Sequence, residues 1–216
     1  MHRLKPLPTY LEDRYRGWKD TSFQKKKTLL ETLANEGQKP KAMVISCSDS
    51  RVQMTDIFQF EEGEVFVHRN VASLVPPCDV ATKFHGTPAA VEYGVTALGV
   101  EHLIVMGHSQ CGGAKGCLDM CKGNAPALED PGSFVGQWVS LLKPKFGRVA
   151  DIEDEAEQVR LMERLAVEMS IENLFTYPFI AERHVAGTLS LHGLWFDIGS
   201  GTLEAYSPEN GKFLAV

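Results

Sequence analysis

No apolar run in the chain approaches the roughly 18 residues that cross a bilayer, so a membrane-spanning helix is excluded as its organising element. The opening segment, MHRLKPLPTYLEDRYRGWKD, is polar and contains proline; it lacks the basic stretch and apolar core of a secretory signal. A surplus of positive charge is also missing, since the formal net charge is −6 and the pI about 5.7. Phosphate backbones need clustered positive charge, so nucleic acid is excluded as the main partner. The short run Lys25-Lys26-Lys27 reads as the solvated side of a helix. Cysteines are few and odd in number, five in all, which disfavours a disulfide framework and leaves free thiols or metal ligands. These absences lead to the expectation of a cytoplasmic protein.

What is present suits one sizeable core. The 216 residues are 44% hydrophobic and 23% charged, close to soluble globular averages, and no internal repeat or low-complexity tract interrupts them. We expect a single domain over 1–216, with a helical arm over 1–36 inside it. Leu11, Tyr15 and Trp18, then Phe23, Leu29, Leu30 and Leu33, fall at helical spacing, and Gly37 and Pro40 end the pattern.

The middle of the chain alternates short apolar runs with helical patterns, the signature of a parallel sheet with helical crossovers. Ala42–Cys47, Glu64–His68 and His102–Gly107 have strand length. Thr87-Pro88 opens a helix, with a capping hydroxyl and proline at the first position, that runs to about Gly99. A short helix through Leu118 and a long one over 154–175 follow, then Thr188–Ile198 and Leu203–Tyr206 as a terminal hairpin or edge strands. The expected fold class is α/β: a mainly parallel central sheet flanked by helices, with the helical arm at one end and edge strands at the other.

Two segments begin where an apolar strand ends: Cys47-Ser48-Asp49-Ser50-Arg51 and Gly107-His108-Ser109-Gln110-Cys111-Gly112-Gly113. Open parallel sheets bind ligands beyond the carboxyl ends of their strands, so two such ends can gather Cys47, His108 and Cys111 around one point. Two thiolates and one imidazole suit zinc, not calcium or magnesium, and three protein ligands leave a fourth position open for chemistry. None of Cys78, Cys117 or Cys121 is spaced as a fourth ligand. An isolated H-x-x-C is weak evidence, and a buried cysteine ending a core strand is ordinary. The strand-end placement, the flanking glycines and the nearby Asp49 and Arg51 are what favour a metal site.

Other readings fit less well. The spacing Gly107-x₄-Gly112 superficially suggests a phosphate-binding loop, but Gly113 and Ala114 stand where Lys and Ser/Thr are required. A cysteine phosphatase wants C-x₅-R, whereas Arg51 comes four residues after Cys47. Cys117 and Cys121, one helical turn apart, allow a redox-sensor reading, but helix packing or exposed thiols is much the commoner role for such a pair.

The segments CSDSRV (47–52), VHRNVASLV (67–75) and GHSQCGG (107–113) resemble those of the β-class carbonic anhydrases, in order and at compatible spacing. The resemblance implies an α/β enzyme that interconverts carbon dioxide and bicarbonate by attack of zinc-bound hydroxide. It implies one Zn²⁺ per chain on Cys47, His108 and Cys111, and Asp49 and Arg51 as the catalytic pair. It further implies Gln38, Phe66 and Tyr93 as pocket residues at a dimer interface, some of them from the neighbouring chain, with Val71 and Gly112 beside them. The implied assembly is a homodimer or tetramer. Val44, Gln38 and Ser109 resemble the constitutively open subgroup, in which the aspartate stays off the metal. Carbon disulfide or carbonyl sulfide hydrolases share these motifs and are the nearest enzymatic alternative. For the proton's exit, His68 and His85 are candidates by chemistry alone.

Overall fold

The computed structural model describes residues 4–79 and 86–216, which group into two compact units, Met1–Gln38 and Lys39–Val216. The first unit holds helices α1 (Thr9–Asp20) and α2 (Ser22–Glu36). Neither helix buries a residue; an aromatic string of Tyr15, Trp18 and Phe23, with centroids 6.1 Å and 5.4 Å apart, runs through the turn between them.

The second unit runs β1 (Ala42–Cys47), α3 (Met54–Ile57), β2 (Val65–Asn70), α4 (Gly86–Glu92), β3 (His102–His108), α5 (Gly112–Cys121), α6 (Pro126–Glu129), α7 (Phe134–Val139), α8 (Glu155–Leu174), α9 (Pro178–Val185), β4 (Ser190–Phe196), β5 (Leu203–Ser207) and β6 (Lys212–Ala215). One sheet of order β2-β1-β3-β4-β5-β6 forms its centre, with parallel pairing from β2 to β4 and antiparallel pairing from β4 to β6. The expected α/β architecture is therefore present. β2 begins and ends later than the sequence pattern suggests, because Arg69 and Asn70 still pair with Ser46 and Cys47. The terminal hairpin has a third partner, β6, whose four residues are too short a run to stand out by alternation. Helix α4 starts at Gly86, and the Thr87 hydroxyl is engaged by His68 Nε2 at 2.9 Å and Asn70 Nδ2 at 3.1 Å.

Every residue of β1 is buried, as expected of a parallel strand covered on both faces. Met43, Ile45, Leu103 and Val105 share an apolar cluster with Val167 and Leu174 of α8. The alternate residues Val44 and Met106 pack in another with Val52, Met54 and Leu194. Alternation thus fixes the register, since a one-residue slip would exchange the two sets. Helix α8 opens on Asp154, whose carboxylate accepts the Ala156 N–H at 2.8 Å, with Glu155 and Glu157 in the first turn. Among the described residues, no helix is long and apolar enough to cross a membrane.

Candidate metal centre

β1 and β3 are parallel neighbours in register, Ser46 opposite Met106, so their carboxyl ends lie side by side. Cys47 ends β1, His108 ends β3, and Cys111 immediately precedes α5. One ligand atom from each of these three residues lies within 4.8 Å of the others, and all three residues are buried. No other cluster of three such ligands occurs among the described residues, so Cys78, Cys117 and Cys121 do not complete a fourth corner.

The chemistry of the donors fits a metal. His108 Nδ1 is 2.8 Å from the Ser109 carbonyl, which can only accept, so Nδ1 carries the proton. That leaves Nε2 as the lone-pair nitrogen, buried and without a hydrogen-bond partner. A buried polar atom left unsatisfied is costly, and a metal-ligand role explains it. The Cys47 thiol is poised as well. Cys47 is pulled well below the usual thiol range, first by its interaction with Cys111 and then by the adjacent His108 and the backbone N–H groups of Asp49 and Ala72, against its burial. Cys111 is pushed up because it holds the shared proton and is buried, while the backbone N–H groups of Ala114 and Gly113 favour its thiolate.

Asp49 stands beside this cluster but is committed elsewhere. Its Oδ1 accepts the Arg51 backbone N–H at 2.9 Å and Nε–H at 3.0 Å, and its Oδ2 accepts from the second terminal nitrogen at 2.8 Å. This two-pronged pairing holds the carboxyl far below the usual carboxylate range. Oδ2 remains 3.9 Å from His108 Nε2. Arg51 also reaches the other ligand loop, donating to the Gln110 carbonyl at 3.0 Å and approaching its side-chain oxygen at 3.4 Å. Gln110 adopts φ +57, a left-handed conformation that a non-glycine residue rarely takes, and it turns that carbonyl toward Arg51.

Of the expected pocket residues, Val71 and Gly112 lie near the cluster. Val71 forms the tight turn after β2, where the neighbouring Ala72 N–H points at Cys47 Sγ at 3.4 Å. Close approach of that turn to α5 requires Gly113, where an added Cβ would sit 2.7 Å from the Ala72 Cβ. Gly112 opens α5 with no atom within 4 Å of its own Cβ direction. Phe66 and Tyr93 pack on each other, centroids 5.8 Å apart, but Phe66 pairs with Met43, four residues before Cys47. At about 3.3 Å per residue that is roughly 13 Å from the metal ligands of the same chain. Gln38 closes the first unit. His68 is half-buried on Thr87, and its pKa is lowered by burial. His85 lies outside the described residues.

Sequence reasoning missed two supports. Glu163, buried in α8, accepts the Cys111 N–H at 3.0 Å and the Trp195 Nε1–H at 3.2 Å. Burial raises its pKa, against those two hydrogen bonds. The signal was an acid among the apolar positions Val159, Met162, Ala166 and Met169 of the helix. Ser109 fastens the histidine loop to β4: its N–H donates to the Phe196 carbonyl and its Oγ accepts the Ile198 N–H, both at 2.9 Å.

Comparison with known proteins points the same way. The carbonic anhydrase family model matches residues 42–203. A relative described as beta carbonic anhydrase 3 from Arabidopsis thaliana is 38% identical over 192 residues, spanning 88% of this chain and 72% of the relative. The solved β-carbonic anhydrase CcaA superposes with a TM-score of 0.88 at 32% identity, covering 96% of this chain and 91% of that one. One of two enzymes described as tetrameric β-carbonic anhydrases from Sordaria macrospora superposes at 0.75 with 34% identity, covering 91% and 95%.

Proposed function

Because the chain belongs to the β-carbonic anhydrase family, we propose that it hydrates carbon dioxide reversibly to bicarbonate and a proton at one zinc ion held by Cys47, His108 and Cys111. The observation that carries this reading is the convergence of two thiols and the unpartnered His108 Nε2 beside a carboxylate that Arg51 holds in place. Zinc bound there supplies a Lewis acid that brings the pKa of water toward neutrality.

The chain's own residues do the rest. Cys47 and Cys111 offer two negative sulfurs, and the N–H groups of Ala72, Gly113 and Ala114 stabilise them in that form. Asp49 stays ionised and presents a lone pair to the O–H of the attacking water, fixing its direction. Arg51 aims that carboxylate and ties it to the Gln110 loop. Gln38 and the backbone N–H at Gly112 are donors for a substrate oxygen. Val71, Phe66 and Tyr93 supply an apolar wall suited to a small uncharged gas, with Phe66 and Tyr93 acting on the pocket of a second copy. The assembly is accordingly a homodimer or tetramer, and the unburied apolar residues of α1 and α2 support an arm that grips a neighbour.

The site is of the open kind, with Asp49 on Arg51 at neutral pH. Val44, fully buried among apolar side chains, and the two-pronged hold of Arg51 on Asp49 support this. No relative reported above supports hydrolysis of carbon disulfide or carbonyl sulfide. Five free thiols and a net charge of −6 suit a cytoplasmic protein without a nucleic-acid partner.

Metal analysis combined with a stopped-flow hydration assay tests the proposal. One zinc per chain with rapid hydration is expected; zinc-loaded protein without hydration overturns the catalytic assignment. Gel filtration of a fully active monomer near 24 kDa would overturn the shared pocket.

A further inference from the structure

The segment between β1 and α3 follows directly on Cys47 and carries the Asp49–Arg51 pair, yet it has no regular structure of its own. Backbone polar groups in such a segment need partners from elsewhere. For two of its carbonyls, and for that of Cys47 before it, they come from one side chain on β2. Arg69 of β2 donates from Nε to the Cys47 carbonyl at 2.8 Å. One terminal nitrogen donates to the Asp49 carbonyl at 2.6 Å and the Val52 carbonyl at 2.9 Å, and the other approaches Gln53 Oε1 at 3.3 Å. All four acceptors are neutral, and three are main-chain oxygens spaced from the end of β1 at Cys47 to Val52 in the loop. The strand beneath is rigid: Arg69 pairs with Ser46 in the ladder, and Ser48 N–H closes onto the Asn70 carbonyl at 2.9 Å.

We propose that Arg69 is a positioning residue for the proposed hydration reaction, setting where the Asp49 carboxylate stands relative to the metal ligands. The inference rests on the role proposed above for Asp49. A planar guanidinium with five donors in a fixed fork can hold Cys47, Asp49 and Val52 at once; an ammonium on a flexible stem cannot. Arg51 orients the Asp49 carboxylate within the loop, whereas Arg69 orients the loop against the sheet. Both are required, because a salt bridge between residues two apart moves as a body with the backbone that carries it.

The test is a double-mutant cycle on the zinc-loaded enzyme. Arg69→Lys is expected to keep one zinc per chain and an unfolding temperature within a few degrees of wild type, while kcat falls at least tenfold with little change in KM. In an Asp49→Asn background the same substitution is expected to change the residual turnover less than twofold, because the residue through which it acts is gone. Zinc transfer to a chelator, a readout independent of turnover, is expected to quicken severalfold as the Cys47 carbonyl loses its anchor. A kcat within twofold of wild type, or effects that multiply in the double variant, overturns the proposal. Should Arg69→Lys fail to fold, Gln53→Ala frees one guanidinium nitrogen at an exposed position; kcat must then fall at least twofold only when Asp49 is present, and an unchanged kcat overturns it. Absence of hydration by wild type would instead remove the reading on which this one stands.

Discussion

The Asp49 Oδ2 lies 3.9 Å from His108 Nε2, near enough to approach a ligand position, yet both oxygens of that carboxylate are held by Arg51. The pairing decides what Asp49 can do: engaged on two prongs, it cannot also swing into the ligand set without breaking them. Arg51→Lys keeps the charge and loses the fork. We expect about a hundredfold loss of kcat/KM, the scale of a misaligned catalytic group, with one zinc per chain retained. A variant that loses its zinc would show that Arg51 supports the metal instead of aiming the carboxylate.

Cys47 is expected to behave differently, because its sulfur belongs to the proposed ligand set itself. Cys47→Ala should abolish stoichiometric zinc and activity together. Chelator treatment of the wild type should reproduce that state, and added zinc should restore activity to the wild type alone. Stoichiometric zinc and full activity in the variant would refute the ligand assignment.

Why Cys47, His108 and Cys111 were legible while their supports were not follows from the range of each interaction. Cys47 and His108 sit at the ends of apolar runs, so strand pattern and residue type alone put these two candidate ligands on neighbouring parallel strands, with Cys111 three residues on. Asp49 and Arg51 are local partners, two residues apart. Glu163 contacts Cys111 across 52 residues of sequence, and periodicity places it on the inner face of α8 without saying what it meets. Arg69 stands one residue beyond the expected strand Glu64–His68, inside the VHRNVASLV segment, and only the loop folded over it shows what its donors hold. Phe66 and Tyr93 came from resemblance, and the roughly 13 Å along β2 explains why one chain alone gives them no visible place at the metal.

Glu163 gives a stability prediction. Its carboxylate accepts two N–H groups in a buried setting, and Glu163→Gln offers only one acceptor oxygen with an amide in place of the other. One donor is left facing N–H, at a cost of about 1–3 kcal/mol. Urea titration of the zinc-loaded protein measures it. A midpoint unchanged from wild type would mean that neither hydrogen bond matters to the fold.

His68 gives a pH dependence. Burial holds its pKa below the unfolded value of about 6.5, so the unfolded chain binds the proton more readily. The sign follows: stability is undiminished above the unfolded pKa and declines as pH falls below it, by no more than about 1.4 kcal/mol per pH unit for one group. His68→Gln keeps a partner for the Thr87 hydroxyl and removes the titration. Thermal unfolding between pH 7.5 and 5.5 should therefore fall less steeply in the variant; parallel curves would discount His68.

Gly107 tests whether the end of β3 is held against α8 as tightly as the metal centre requires. A Cβ there would stand 2.7 Å from Val167 Cγ2 and 3.4 Å from the Glu163 carbonyl. Val167 is fully buried in the cluster that joins α8 to the sheet, so it has no room to retreat. Gly107→Ala should cost about 1–3 kcal/mol as overpacking. The strain falls between two parts of one centre, since the next residue is His108 and the helix pushed away carries Glu163, which holds the Cys111 N–H. Faster zinc loss to a chelator is expected alongside the lower stability. Pairing with Val167→Ala, which removes the obstructing methyls, should recover part of both; recovery of stability without recovery of zinc retention would separate the packing of β3 from the holding of the metal.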